Sequence, residues 1–208
     1  ENPILADIRV RQALILALDR KTMTQELFGS RQPVAHTFVS PLDWVYAKNA
    51  RQYAYNPVKA AKLLSDAGWE PTAQGTRINQ KGEKLSLEIM TTAGNRSREL
   101  VQQVLQNQWK SLGIEVRIRN QPARIFFGET VIQRKFKAMA MFAWISAPES
   151  VPRTTLQSTY IPRKENNYAG QNYTGFKNKE VDQLIDNLEV QLDKKKRAQM
   201  WTRLQDIY

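Results

Sequence analysis

The sequence predicts an α/β fold, a mixed β-sheet flanked by helices. Two observations carry this. Between residues 85 and 119 a strand, a long helix and a second strand follow one another through short connections. A strand–helix–strand run of that length has parallel strands and a right-handed crossover. Between residues 136 and 143 the apolar side chains fall on both faces of a strand. Phe136, Ala138, Ala140 and Phe142 share one face, and Met139, Met141 and Ala143 share the other. Apolar cover on both faces predicts a central strand over residues 138–143.

The elements follow in order. Val10, Ala13, Leu14, Ala17 and Leu18 recur at helical spacing, and Asp19 then caps a second helix closed by Gly29. Residues 30–55 are irregular and aromatic, a length of loop that is often functional. They hold the single histidine, His36, which has no companion to form a recognisable metal cluster. Asn56 and Pro57 open a helix that ends at Gly68. A hairpin over residues 76–79 and 84–91 turns at Gln80-Lys81-Gly82. Asn95 caps the long helix, with Leu100, Val101, Val104, Leu105, Trp109 and Leu112 as its stripe, and Gly113 stops it. Ile114, Val116 and Ile118 alternate as the next strand, and residues 122–134 read as a further helix. After the strand at 138–143 comes a polar turn over residues 146–150, with Pro152 suited to the first turn of a short helix. Residues 159–176 are a loop rich in Asn, Tyr and Gly, and two helices close the chain, the second capped by Asp193.

Composition narrows the function classes. The 208 residues suffice for one large domain or two small ones. No apolar run is long enough to span a bilayer. The chain opens Glu1-Asn2-Pro3 without the regions of a secretory leader. That opening fits a cytoplasmic protein, a processed chain or a piece of something longer. The absence of a closing cap on the last helix fits a piece. Cysteine is absent, which excludes disulfides, a thiol nucleophile and cysteine metal sites. The net charge of +11 favours anionic partners in general. The basic residues are spread along the chain, however, and no nucleic-acid recognition motif accompanies them. There is no Gly-x-Ser-x-Gly elbow, no phosphate loop and no HExxH. The enzyme class left open is a hydrolase using paired carboxylates.

Four stretches together resemble one family. They are Val10-Arg11-Gln12-Ala13-Leu14 through Ala17-Leu18-Asp19-Arg20, then Tyr55-Asn56-Pro57 through Ala67-Gly68-Trp69. Next are Leu112-Gly113-Ile114-Glu115-Val116 and Asn172-Tyr173-Thr174-Gly175-Phe176-Lys177-Asn178. In that order they resemble family 5 of the extracellular solute-binding proteins, the peptide-, oligopeptide- and nickel-binding receptors of ABC importers. The resemblance implies a periplasmic-binding-protein-like (type II) lobe, with residues 1–208 as the C-terminal, substrate-binding lobe of a two-lobed protein. It implies capture of peptides or modified peptides, with a nickel chelate or another small solute as the alternative. It further implies a periplasmic or extracellular, cell-envelope-associated location. The implied partners are the permease subunits and the protein's own N-terminal lobe. No cofactor, metal, catalytic residue or nucleic-acid partner is expected.

The candidate ligand-binding residues are Trp144, Ser146, Ala147, Glu149, Arg153, Tyr168, Asn172 and Tyr173. They lie in the turn and the later loop, where open α/β sheets gather ligands at the carboxyl ends of strands. Trp144 stacks on a ligand or closes the edge of the core. Ser146 and Glu149 bond a ligand or cap the helix starting near Val151. Arg153 meets a ligand carboxylate or solvent. Tyr168, Asn172 and Tyr173 offer binding groups or loop packing. In peptide-binding members of the resembled family this turn typically reads Trp-x-Ala-Asp-Tyr, and its aspartate holds the peptide's α-amino group. Here it reads Trp144-Ile145-Ser146-Ala147-Pro148, so alanine stands at the aspartate position and Glu149 is the nearest carboxylate.

Overall fold

The computed structural model describes residues 2–208 and divides the chain into two compact units. The first comprises the chain up to Val34, Tyr53–Phe126 and Phe136–Phe142. The second comprises Ala35–Gln52, Phe127–Lys135 and Ala143–Tyr208.

In the first unit, α1 (Pro3–Ala6), α2 (Ile8–Leu16) and α3 (Arg20–Phe28) are each opened by a side-chain cap, from Asn2, Asp7 and Asp19. The helix α4 (Pro57–Asp66) begins on Asn56 with proline in its first turn. Two short strands, β1 (Glu70–Pro71) and β2 (Arg77–Ile78), pair antiparallel. Next come β3 (Ser86–Met90), α5 (Arg96–Lys110), β4 (Glu115–Ile118), α6 (Ala123–Ile125) and β5 (Met139–Ala140). The strands order as β4-β3-β5, with both pairs parallel. The parallel β3–β4 pairing expected from the strand–helix–strand pattern is present. Parallel and antiparallel pairing occur in separate small sheets, joined at a single bridge between Ile78 and Lys84.

The sheet corrects the expectation for residues 138–143. The central strand is β3, because both neighbours pair with it, and β5 is an edge strand among the described residues. Only two of its residues form ladder, and Met139 and Phe142 are half-buried. The apolar pattern has a different cause from strand order. Phe142 meets Phe126 edge to face at 5.9 Å, and Ala138 and Met139 pack against the core. Alternation reports that both faces are covered by side chains, and carries no information about which edges are paired.

The core of this unit joins Val10, Ala13 and Leu14 of α2, Ala60 and Leu64 of α4, Leu87 and Ile89 of β3, and Trp109 of α5. The Trp109 indole N–H donates to the Leu14 carbonyl at 2.9 Å, so the buried ring is polar-satisfied. Arg77 is buried at 5% exposure. Its guanidinium donates to the carbonyls of Leu112 (2.8 Å) and Trp69 (2.7 Å) and to Ser65 Oγ (3.1 Å). These groups lie at the ends of α5 and α4, where the helix dipoles are negative. Burial nonetheless pushes the guanidinium pKa down. The expected helix over 122–134 is α6 continued by a π-helical turn, Phe126–Val131.

The second unit is built on α7 (Arg153–Leu156), α8 (Lys179–Val190) and α9 (Lys194–Ile207). Val181, Ile185 and Leu188 of α8 pack with Trp201 and Leu204 of α9 and with Val39 and Val45 of the long loop. That loop has no regular structure of its own, so its polar groups need partners elsewhere. Gln205, 6% exposed, supplies them. Its amide nitrogen donates to the Val45 carbonyl (2.8 Å), and its oxygen accepts from Ala47 N–H (3.0 Å) and Thr37 Oγ1 (2.8 Å). Gln205→Ala should therefore strand two buried backbone groups, remove a partner of the half-buried Thr37 hydroxyl and cost about 3 kcal/mol of stability. Urea unfolding checks this, and a loss below about 1 kcal/mol would show that the clasp is dispensable.

Candidate functional site

The chain enters the second unit at Ala143 and forms an exposed turn. Trp144 is 51% exposed and Ile145 fully so, and Ser146 and Ala147 are exposed beside them. The turn is closed by Ser150 N–H donating to the Ala147 carbonyl at 3.1 Å. The Trp144 ring rests on Phe127, 5.8 Å between centroids, so its contact within the fold covers only part of the indole.

Glu149 sits in the left-handed region, at φ 58°. Its backbone N–H donates to Asp43 Oδ2 at 3.0 Å, which holds the turn against the long loop. Its carboxylate lies 3.8 Å from Arg197 Nε. The expectation that Ser146 and Glu149 cap the next helix is therefore corrected. Pro152 occupies the N-cap position of α7 with no side-chain cap bond, and Glu149 turns to Arg197 instead. Arg153 is also engaged within the fold. It pairs with Glu189 (3.0 Å) and Asp186 (3.0 Å) of α8 and bonds Gln157 (2.9 Å). Donating to the Glu189 carboxylate, and more weakly to Asp186, raises its pKa against the opposing effect of burial.

The later loop is organised by Asn172, which is fully buried. Its amide nitrogen lies within bonding distance of the carbonyls of Leu156 (3.1 Å), Gln157 (3.2 Å) and Phe176 (2.9 Å). Its oxygen accepts from Phe176 N–H (3.0 Å) and Thr174 Oγ1 (3.3 Å). The side chain thus holds the loop together and has no capacity left for a ligand. It fixes Tyr173, whose carbonyl accepts from Arg134 Nε at 2.9 Å and whose phenol pKa is pushed up by burial. Tyr168 is half-buried and left-handed at φ 57°. Gly170 is irreplaceable there: at φ 100°, a Cβ would stand 2.1 Å from the Tyr160 carbonyl oxygen.

Of the eight candidate residues, the turn therefore exposes Trp144, Ser146 and Ala147, while Glu149, Arg153 and Asn172 make bonds within the fold. Sequence reasoning missed Phe127, Asp43, Arg134 and Arg197. The long aromatic loop did flag the region of Asp43, and the adjacent Phe126-Phe127 pair was the signal for Phe127. Nothing local marks Arg134 or Arg197. Among the described residues, no group of three or more His, Cys, Asp or Glu side chains is placed to hold a metal.

Comparison with known proteins gives a consistent picture. The family profile described as bacterial extracellular solute-binding proteins, family 5 middle, matches residues 1–167. The oligopeptide-binding protein AppA of Bacillus subtilis is 29% identical over 212 residues, covering 98% of this chain and 37% of AppA. The chain thus spans about a third of the length of such a relative. Among solved structures, an oligopeptide-binding protein from Thermus thermophilus complexed with a pentapeptide superposes with a TM-score of 0.89 at 35% identity. That match covers 98% of this chain and 36% of the other. AppA in complex with a nonapeptide gives 0.85 at 29% identity, over 99% of this chain and 40% of the other.

Asn172→Ala should destabilise the protein by about 3 kcal/mol, because buried carbonyls and an N–H lose their partners. Asn172→Asp carries a sharper signature. A carboxylate facing three carbonyl oxygens has its pKa raised in the folded state, so stability is lost as pH climbs above the unfolded value of about 3.9. Denaturation at pH 4 and pH 7 tests this, and equal losses at both would contradict the assigned orientation of the amide.

Proposed function

The chain belongs to the bacterial extracellular solute-binding proteins, family 5, and from that premise we propose that it is the substrate-binding lobe of an ABC-importer receptor. On this reading the whole protein captures peptides or modified peptides between two lobes in the periplasm or cell envelope and delivers them to a membrane permease. Catalysis has no part in it. The observation that carries the proposal is the likeness to a structure solved with a bound pentapeptide, over 98% of this chain at 35% identity. The exposed Trp144–Ala147 turn is consistent with it, because it presents a half-exposed indole and a fully exposed isoleucine side chain at the surface.

The proposal also covers ligand type. A buried ammonium needs a hydrogen-bonded anionic partner. Ala147 provides none, and the Glu149 carboxylate already faces Arg197. The favoured ligand is then a peptide whose amine is blocked, absent or anchored elsewhere.

Calorimetry on the full-length receptor tests both levels. Trp144→Ala should weaken peptide binding about tenfold, a loss of about 1.4 kcal/mol. Unchanged affinity would remove the turn from the site. The N-acetylated peptide should bind the unaltered receptor more tightly than its matched free-amine form, and Ala147→Asp should shift preference toward the free amine. A strong preference for the free amine that survives Glu149→Gln would sink the blocked-amine reading while leaving peptide capture intact.

A further inference from the structure

A second surface of the same unit is unexplained by ligand capture. Leu42 and Trp44 stand on the long loop, 86% and 40% exposed, Val190 ends α8 and Leu192 lies on its connection to α9, 75% and 93% exposed. The two segments meet: Lys194 Nζ lies 4.7 Å from the centre of the Trp44 ring. The contact is braced from behind. Asp43 accepts from Glu149 N–H, Glu149 faces Arg197, and Arg197 donates to the Gln191 carbonyl at 3.0 Å. Four large apolar side chains are thereby held outward within a few residues of one fixed point.

Beside them the first turn of α9 carries Lys194, Lys195 and Lys196, all exposed, with no acidic residue in that turn. Cations at a helix N-terminus oppose the helix dipole, so this placement works against the helix it sits in. Among the described residues, none of the three lysines is in an ion pair. The neighbouring carboxylates are already used: Glu189 and Asp186 on Arg153, Glu149 on Arg197, Asp43 on backbone N–H groups, and Asp193, next to Lys194, on the Lys196 N–H as the cap of α9. Three lysines against the single carboxylate of Asp193 leave a net positive cluster, and beside exposed leucines and an amphipathic tryptophan it matches one kind of partner. Aliphatic side chains and indole enter the headgroup boundary of a bilayer, and lysines attract its anionic lipids.

We propose that this patch rests on an anionic phospholipid surface. The inference is independent of what the protein captures. The test uses the full-length protein, without lipid modification, sedimented with vesicles of phosphatidylcholine alone or with one quarter phosphatidylglycerol. Binding should require the anionic lipid and fall as salt rises. Replacing all three lysines (K194Q, K195Q, K196Q) should weaken it at least about tenfold. Leu42→Ser with Leu192→Ser should weaken it by a similar factor and leave the melting temperature unchanged. Equal binding to neutral vesicles, no binding to anionic ones, or variants that bind as before would each overturn the proposal. So would a leucine variant that lowers the melting temperature or dissociates an oligomer, since the patch would then be covered by protein. Binding only to vesicles containing permease would assign the patch to a protein partner instead.

Discussion

The ordered loops of the second unit depend on one buried amide. A fully buried Asn side chain is costly unless every donor and acceptor is met, and Asn172 meets them with groups from two separate segments. Its bonds to Leu156 and Gln157 fix the end of α7, and those to Phe176 and Thr174 fix the loop that leads to α8. Tyr173 is held as a consequence, and Arg134 is drawn in through the Tyr173 carbonyl. The left-handed backbone at Arg134 and Tyr168 is tolerated because these bonds over-determine the loop. Side chains on the surface thus stand on a scaffold that is itself irregular.

The same logic governs the turn at residues 144–150. Its ends are pinned by Asp43 and by the ring contact between Trp144 and Phe127, and its middle is left open. The charged groups near it are neutralised among themselves, Glu149 with Arg197 and Arg153 with two carboxylates of α8. What residues 144–148 present outward is uncharged: an indole, an isoleucine, a serine hydroxyl, an alanine and a proline. On the proposed function this is the chemical character of the surface a ligand meets, and it explains why alanine at position 147 is not offset by its neighbour.

Much of the fold was legible because it rests on local rules. Asp19, Asn56, Asn95 and Asp193 cap helices where the sequence places caps, each accepting from a backbone N–H. The parallel pairing of β3 and β4 followed from chain length and connectivity. The order of strands was not legible, since the apolar faces of residues 138–143 describe side-chain cover alone. The small β1–β2 hairpin escaped because Trp69-Glu70-Pro71 reads as a helix exit, and its stability comes from Arg77 reaching two helix ends. In the site, the place of Trp144 after a strand fitted both stacking on a ligand and closing the core edge, and only the structure shows it half-exposed. The engagement of Arg153, Glu149 and Asn172 was not legible, because Glu189, Arg197 and Gln157, which engage them, lie 36, 48 and 15 positions away in the chain.

The central claim is that the turn bearing Trp144 and Ala147 touches a captured peptide. The most direct measurement is photo-crosslinking of a benzophenone-bearing peptide to the full-length receptor, with the attachment sites mapped by mass spectrometry. The account predicts adducts within residues 144–149, competed away by unlabelled peptide. Competable adducts confined to other parts of the protein, with none in that turn, would contradict it.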